Sequence, residues 1–202
     1  MITGIVLAAG ASSRLGRPKQ LLDLAGKPLL QHVVDAAQSA RLDEIIVVLG
    51  HAAPTVARAV TLPAAARFVI NLDHAQGQST SLRVGLKAAD ARSAAGVILL
   101  GDQPGIRPDA VASVVEAWRG GQHPVVQASY SATPAHPTLL DRSVWIEIEG
   151  VTGDQGARAI LPAHPDWLRL VEVGGDPPDD IDTEEDYSRI RKAFSRNGPA
   201  IV

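Results

Sequence analysis

The segment that follows the first predicted strand carries the residues best suited to hold phosphate groups. It reads LAAGASSRLGRPKQ over residues 7–20, and small side chains of this kind let backbone N–H groups approach an anion closely. Arg14 and Lys19 add positive charge, and a guanidinium can donate paired hydrogen bonds to phosphate oxygens. Neither a P-loop nor the dinucleotide fingerprint G-x-G-x-x-G is present. The spacing alone fits a phosphate-binding loop and an ordinary Gly/Ser turn equally well.

Two acidic positions are candidate metal ligands. Asp102 lies in the sequence Gly-Asp-Gln-Pro directly after an apolar strand, and carboxylate oxygens are ligands that Mg²⁺ prefers. Its alternative role is to cap the helix predicted to begin at Pro108. Asp182 belongs to an acidic segment whose other members we expect to be solvated or to favour the N-terminus of the last helix. Ile181 is expected to be buried and to anchor Asp182, which could then supply a second carboxylate.

Other polar turns are less specific. Residues 77–81, Gly-Gln-Ser-Thr-Ser, lie at a strand-to-helix turn where hydroxyl and N–H groups could read the edge of a base. The alternative is simple capping of the helix by Ser79. The turns at His136-Pro137 and at residues 153–158 are, taken alone, more often turns than sites.

The elements that position these loops alternate between short apolar strands and amphipathic helices. Continuous β-branched strands between helices predict an α/β domain with a mainly parallel sheet that is covered on both faces. Ligands of such sheets bind beyond the carboxyl ends of the strands, where the loops described above lie. Strands are predicted at 2–8, 44–49, 67–71, 97–100, 124–129, 138–140 and 168–173, and helices at 29–40, 54–60, 78–91, 108–118, 142–148, 156–161 and 183–194.

Composition restricts the class of protein. The 202 residues are 46% hydrophobic, which predicts one domain over 1–194 and a flexible tail over 195–202. Only 3% are aromatic and the net charge is -3, so we expect no nucleic-acid partner and no membrane surface. The absence of cysteine excludes thiolate chemistry and fits a cytoplasmic protein. No apolar run is long enough to span a bilayer, and the first residues are typical of a strand, not of a basic leader.

Taken together, these segments resemble the MobA-like nucleotidyltransferase family, most of all its molybdenum cofactor cytidylyltransferases. The resemblance extends from Gly4 to Tyr187. It is carried by LAAGASSRLGRPKQLL at 7–22, NLDHAQGQSTSLRVGL at 71–86, GDQP at 101–104, HPTLLDR at 136–142, GDQGAR at 153–158 and, more weakly, DIDTEEDY at 180–187.

The resemblance implies a Rossmann-like three-layer α/β/α fold of the nucleotide-diphospho-sugar transferase type. It also implies Mg²⁺-dependent transfer of CMP from CTP to the terminal phosphate of molybdopterin, with release of pyrophosphate. A molybdoenzyme could then receive the product.

The same resemblance implies a role for individual residues. The catalytic group would be Arg14, Lys19 and Asp102, and the metal would be held by Asp102 and Asp182. The nucleotide would be bound by Leu7, Ala8, Ala9, Gly10, Arg14, Lys19, Gly77, Ser79, Ser81 and Asp102, and the acceptor by His136, Gly153 and Asp154.

Two positions bear on the substrates. Residues 133–135, Thr-Pro-Ala, precede His136 where related sequences usually carry glycine, which makes the acceptor side less typical. Ala9 stands where guanylyltransferases of the family show a second glycine, which favours CTP.

Other functions stay open at the level of sequence. The enzyme could be a guanylyltransferase or could use another phosphorylated acceptor. A non-enzymatic alternative is an NTP-binding sensor or cofactor chaperone. The presence of Asp102 and Asp182 together with Lys19 favours turnover over sensing.

Overall fold

The computed structural model describes residues 1–196. Two strands form a small separate hairpin, and the other seven form the central sheet. The strands are β1 (Ile2–Ala8), β2 (Asp23–Leu24), β3 (Lys27–Pro28), β4 (Glu44–Leu49), β5 (Ala66–Ile70), β6 (Ala95–Leu100), β7 (Val125–Tyr130), β8 (Thr133–Asp141) and β9 (Leu168–Glu172). The α-helices are α1 (Leu29–Ser39), α2 (Ala53–Ala59), α3 (Gln78–Ala88), α4 (Pro108–Arg119), α5 (Trp145–Ile148) and α6 (Glu184–Arg196).

The central sheet has the strand order β5-β4-β1-β6-β8-β7-β9. Strand β1 lies in the middle and pairs in parallel with β4 and β6, while β8 runs antiparallel to β6 and β7. Strand β9 pairs in parallel with β7. The predicted three-layer fold with a mostly parallel sheet is therefore confirmed.

Each face of the sheet packs against its own layer of helices. Side chains alternate along a strand, so Val6 of β1 lies in the core shared with α1, α2 and α4, whereas its neighbour Ile5 lies in the core shared with α3 and α5. Both side chains are fully buried. Burial on both faces explains why β1, β4 and β6 are almost entirely apolar, with Thr3 and Glu44 as the polar exceptions.

A third, smaller cluster attaches the C-terminal helix. Helix α6 packs through Tyr187 and Ile190 on Leu24 of the β2–β3 hairpin, and Ile181 is fully buried in the same cluster. The Tyr187 hydroxyl donates to the backbone oxygen of Asp23 at 2.9 Å. This packing places the acidic segment before α6 beside the loop that follows β1.

Most predicted boundaries agree with the structure to within a few residues, but four elements differ. The helix predicted at 156–161 is a 3₁₀ helix over Ala157–Ala163, and the helix predicted at 142–148 is a 3₁₀ turn over Arg142–Val144 followed by the short α5. The β2–β3 hairpin was not predicted, because two-residue strands leave no periodic pattern. Strand β8 is longer than the predicted 138–140, because its two prolines obscure the strand pattern in the sequence. A register shift in β7, between Gln127 and Ala128, also interrupts its pairing with β8.

The end of the chain bears on two predictions. The predicted capping box is confirmed, because Thr183 N donates to Asp186 Oδ2 at 3.0 Å and Asp186 N donates to Thr183 Oγ1 at 3.1 Å. Helix α6 includes the first two residues of the predicted flexible tail, and 197–202 lie outside the described residues. None of the helices in residues 1–196 has the length and apolarity required to cross a bilayer.

Candidate active site

Three loops that are distant in sequence meet at the Lys19 ammonium. Lys19 Nζ donates to Asp102 Oδ2 at 2.6 Å and to Asp182 Oδ1 at 2.8 Å. The lysine side chain is only 14% exposed. Burial by itself would lower its pKa, but the charges and hydrogen bonds of the two carboxylates outweigh that effect and raise the pKa above its usual value. Lys19 is therefore a fixed cation at neutral pH.

The loop after β1 is shaped by its own polar groups. The buried Gln20 side chain donates from Nε2 to the backbone oxygens of Ala8 at 2.8 Å and Gly10 at 3.2 Å. Ser12 adopts a positive φ of 54° and accepts a hydrogen bond from Lys19 N at its Oγ. Sequence reasoning missed Gln20, because its burial depends on the folded path of the loop.

Asp102 is held at the carboxyl end of β6 by close backbone packing. Gly101 N donates to the backbone oxygen of Leu7 at 2.9 Å, and a Cβ at position 101 would lie 2.7 Å from the Cβ of Ala8. Ile181 N in turn donates to the backbone oxygen of Asp102 at 3.2 Å. The alternative role of Asp102 as a helix cap is not observed, since Arg107 occupies the N-cap of α4 and no side chain caps it.

Asp102 and Asp182 form a donor set that fits a hard divalent cation. Their carboxylates come from separate loops and converge on one positive centre, the Lys19 ammonium. Within residues 1–196, no three His, Asp or Glu side chains are grouped as a complete metal site. Mg²⁺ commonly takes one or two carboxylates and completes its shell with substrate phosphates and water. The pair is therefore sufficient for a metal that arrives with a nucleotide.

The predicted nucleotide-binding residues surround a cavity of about 600 Å³, which we call the nucleotide cavity. Its wall includes most of them: Leu7, Ala8, Ala9, Gly10, Lys19, Gly77, Ser81 and Asp102. Arg14 lines an adjoining groove, where its guanidinium lies 3.6 Å from Asp182. Ser79 is fully buried and lies outside this wall, and its Oγ has no hydrogen-bond partner among the described residues.

The start of α3 is built by glycine and not by the predicted serine cap. Gly77 occupies the N-cap with φ 108°, and no side chain caps the helix, so the prediction that Ser79 caps it is wrong. A Cβ on Gly77 would lie 2.4 Å from the carbonyl carbon of Gly153. Ser79 N donates to Gly153 O at 3.0 Å, and Gln78 N donates to Asp154 Oδ1 at 3.1 Å. The segment containing Gly153 and Asp154 is thus fixed to the first turn of α3.

Asn71, which sequence reasoning also missed, holds the same turn from below. It is 1% exposed, and its Nδ2 donates to Thr80 Oγ1 at 2.8 Å and to Ser81 Oγ at 2.9 Å. Its Oδ1 accepts from Asp73 N at 3.0 Å. One buried amide therefore connects the end of β5 to the serine that lines the nucleotide cavity.

Asn71→Ala is expected to lower the free energy of unfolding by about 1–3 kcal/mol, because it leaves buried hydrogen-bonding groups without a partner. Urea denaturation of the variant and wild type would measure this difference. Gln122→Ala, which removes an amide from an exposed turn, serves as the matched control. A loss no larger than that of the control would contradict a structural role for Asn71.

A second cavity, of about 570 Å³, adjoins the first and is called the acceptor cavity below. The two cavities share Leu7, Leu100 and Asp154. His136 lines the acceptor cavity, whereas Gly153 lines the nucleotide cavity. His136 Nδ1 lies 3.2 Å from the backbone oxygen of Ile98, and burial lowers the pKa of this histidine to about 4. His136 is accordingly neutral at physiological pH.

Gln103 and Asp180, which had no assigned role, also line the acceptor cavity. Gln103 is 5% exposed, and its Nε2 donates to Asp180 Oδ1 at 2.8 Å. Burial, together with the nearby charge of Asp102, raises the pKa of Asp180. The sequence suggested a solvated acidic turn here, because nothing in it indicates that Gln103 lies opposite residue 180.

Comparisons with known proteins identify similar sequences and a similar structure. The sequence model of the family described as "MobA-like NTP transferase domain" matches residues 4–167. Nicotine blue oxidoreductase of Paenarthrobacter nicotinovorans is 32% identical over 94% of this chain and 96% of its own length. Purine catabolism protein PucB of Bacillus subtilis is 31% identical over 96% of this chain and 98% of its own. The structure of Rv0371c from Mycobacterium tuberculosis in complex with manganese superposes with a TM-score of 0.81 and 31% identity over 95% of this chain and 98% of that one.

Proposed function

The chain belongs to the MobA-like NTP transferase family, and we propose that it moves CMP from CTP to the terminal phosphate of a molybdopterin-type acceptor. The observation that carries the proposal is the Lys19 ammonium, fixed between Asp102 and Asp182 at the edge of the nucleotide cavity. Such an arrangement presents a cation and two carboxylates that could ligate a metal where the phosphates of a nucleotide would lie.

The reaction needs positioning and charge neutralisation. An ionised oxygen of the acceptor phosphate attacks the α-phosphorus, a new P–O bond forms, and the bond to the departing pyrophosphate breaks. Because the nucleophile is already ionised, no general base is required. Lys19, Arg14 and the backbone N–H groups of the loop would neutralise charge on the phosphates as it redistributes. Holding two anionic substrates in line supplies much of the rate.

Asp102 and Asp182 would hold the metal, which we propose to be Mg²⁺. A bound divalent cation would neutralise negative charge on the phosphate oxygens. Two carboxylates converging on one cation support this assignment, and the homologous manganese complex is consistent with it.

The acceptor would fill the acceptor cavity, with its phosphate directed towards the boundary that the two cavities share. His136 and Asp154 line that cavity and stay candidates for acceptor binding. Gly153 is better assigned to the nucleotide side, because it packs against Gly77. A molybdoenzyme as the recipient of the product, and a cytoplasmic location, are further parts of this proposal.

Preference for CTP over GTP is expected to depend partly on Ala9. Its methyl group belongs to the wall of the nucleotide cavity, where a purine needs more room than a pyrimidine. Ala9→Gly should therefore relax the preference without reversing it, because the turn over residues 77–81 is unchanged. The expected change is of the order of 1–3 kcal/mol in selectivity, or about fivefold to 150-fold in the ratio of kcat/KM values.

The measurement is kcat/KM for CTP and GTP with one acceptor, in wild type and Ala9→Gly. The matched control is Ala64→Gly, the same change at an exposed position that does not line the nucleotide cavity. Wild-type protein that uses GTP as well as CTP would refute the cytidylyl assignment and leave nucleotidyl transfer intact.

One experiment separates the alternatives. Pyrophosphate release is measured with each of the four NTPs, Mg²⁺ and molybdopterin. Release with GTP alone indicates a guanylyltransferase. Release only with another phosphorylated acceptor shows that the natural acceptor is not of the molybdopterin type. Binding of an NTP without release under any condition indicates a sensor or chaperone. Oxidation of a reduced nicotinamide cofactor, tested because one relative is named an oxidoreductase, would indicate redox chemistry instead.

A further inference from the structure

The acceptor cavity has an acidic wall that the proposed transfer reaction does not use. Asp180 and Gln103 line this cavity, and neither lines the nucleotide cavity. They lie immediately beyond Asp102 in the fold, because Gln103 follows it in sequence and Ile181 N bonds to its backbone oxygen. The pair is therefore placed to contact the body of the acceptor, whose phosphate must reach Asp102 and Lys19.

Asp180 is held in one orientation by a buried amide. Gln103 is 5% exposed and donates from Nε2 to Asp180 Oδ1 at 2.8 Å. Because a carboxylate only accepts hydrogen bonds, the Gln103 atom that faces Asp180 must be the amide nitrogen, and the other terminal atom must be the oxygen Oε1. Gln103 Oε1 is left without a partner in the described part of the chain. A carboxylate has about four acceptor positions, so Asp180 retains free capacity after binding Gln103.

The other polar groups of the cavity include two further acceptors, next to side chains that can donate, namely Thr138, Gln155 and Arg158. His136 Nδ1 lies 3.2 Å from the carbonyl oxygen of Ile98, and a carbonyl can only accept. The proton of neutral His136 is therefore on Nδ1, and Nε2 is an acceptor. Asp154 adds a second carboxylate to the wall. Arg158 is a donor in the same wall, and it already donates to the backbone oxygen of Pro134 at 2.9 Å.

Apolar side chains make up much of the remaining surface. Leu7, Leu82, Ile98 and Leu100 line the cavity together with Ala135 and Pro162. Apolar walls with a few convergent acceptors suit a flat, uncharged ring system, and they disfavour a second anionic group near the two carboxylates.

We infer that Asp180, held by Gln103, is a specificity-determining residue that selects acceptors whose ring system carries N–H donors. Because it assigns the acceptor cavity to the acceptor, this inference rests on the proposed function. The recognised edge is one in which a ring N–H and an amino group lie side by side, since such an edge can give a carboxylate two hydrogen bonds.

Two bicyclic probes without phosphate test the inference directly. Pterin carries an amino group at the position where lumazine carries a carbonyl oxygen. Wild-type protein is expected to bind pterin about tenfold more tightly than lumazine, because a site built to accept from a donor rejects an analogue that lacks it. The dissociation constants are measured by fluorescence titration.

Asp180→Asn is expected to remove most of that preference while leaving Mn²⁺ binding, measured by electron paramagnetic resonance, unchanged. The asparagine oxygen can still accept from Gln103, so the local fold is preserved. Asp179→Asn is the matched control, since Asp179 is the neighbouring exposed acid and pairs with Arg189. It should retain the wild-type preference.

Several results would overturn the inference. These are equal affinity for the two probes, no detectable binding of pterin, or an unchanged preference in Asp180→Asn. Weaker Mn²⁺ binding by Asp180→Asn would make Asp180 a metal ligand and would also overturn it. The proposed function fails separately, if wild-type protein releases no pyrophosphate from CTP and molybdopterin, and the probe result would stand in that case.

Discussion

Lys19→Met is expected to lower kcat by about 100-fold or more at saturating CTP and Mg²⁺, as the loss of one donor to the transition state does. The methionine keeps most of the apolar stem of the lysine but removes the cation that lies within 2.8 Å of both carboxylates. The contact with Asp182 should contribute little to stability, because Asp182 is half exposed and solvent screens the interaction.

The same variant distinguishes a role in charge neutralisation from a role in holding the metal. Removing Lys19 leaves Asp102 and Asp182 without their cation, so Mn²⁺ should bind the nucleotide-free variant at least as tightly as it binds wild type. Metal binding and turnover would then change in opposite directions. Turnover is followed by pyrophosphate release, and Mn²⁺ binding by electron paramagnetic resonance.

Lys27→Met is the appropriate control for this change. Lys27 is an exposed lysine of the β2–β3 hairpin that pairs with Asp35 at 2.7 Å, and it does not line the nucleotide cavity. If Lys19→Met has the same turnover as wild type at saturating CTP, Lys19 has no role in the mechanism.

Asp102→Asn is expected to raise the metal concentration needed for half-maximal activity by about tenfold or more, because a neutral amide replaces an anionic oxygen ligand. The amide oxygen can still accept from Lys19, so the loop after β6 should keep its position. Asp182→Asn should act in the same direction but less strongly, since Asp182 is the more exposed of the two.

A double-mutant cycle tests whether the two carboxylates share one ion. Ligands of a common metal should give non-additive effects on metal affinity. Asp109→Asn is a suitable control, because it removes an exposed acid that pairs with Arg107 at the start of α4. If Asp182→Asn leaves the metal dependence at the control value, Asp182 belongs to a solvated acidic turn and the metal assignment reduces to Asp102.

Local pattern was sufficient to predict most elements of the central sheet, with β8 only partly predicted. Strands β1 and β4 occupy the predicted residues, because burial on both faces requires a continuous apolar run. The capping box at Thr183 was equally readable, since both partners lie within one helical turn. The parallel order of the strands also indicated at which edge of the sheet the loops would meet.

Side-chain direction within a turn was not predictable. Ser79 and Ser81 lie two residues apart in the same polar segment, yet Ser81 lines the nucleotide cavity and the Ser79 hydroxyl is enclosed. The backbone of Gly153, which packs against Gly77, decides between them. Gln20 and Asn71 were missed for a related reason, because a buried polar residue is distinguished from an exposed one only by partners that the fold supplies.

Residue types and their spacing predicted which groups are available to the site: a loop of small residues with three cations, and carboxylates at the ends of predicted elements. Folding brings these groups together, because Lys19 is separated by 83 residues from Asp102 and by 163 residues from Asp182. The first separation is closed by the pairing of β1 with β6, and the second by the packing of α6 on the β2–β3 hairpin. Neither contact leaves a periodic signal in the chain, since each depends on which elements become neighbours after folding.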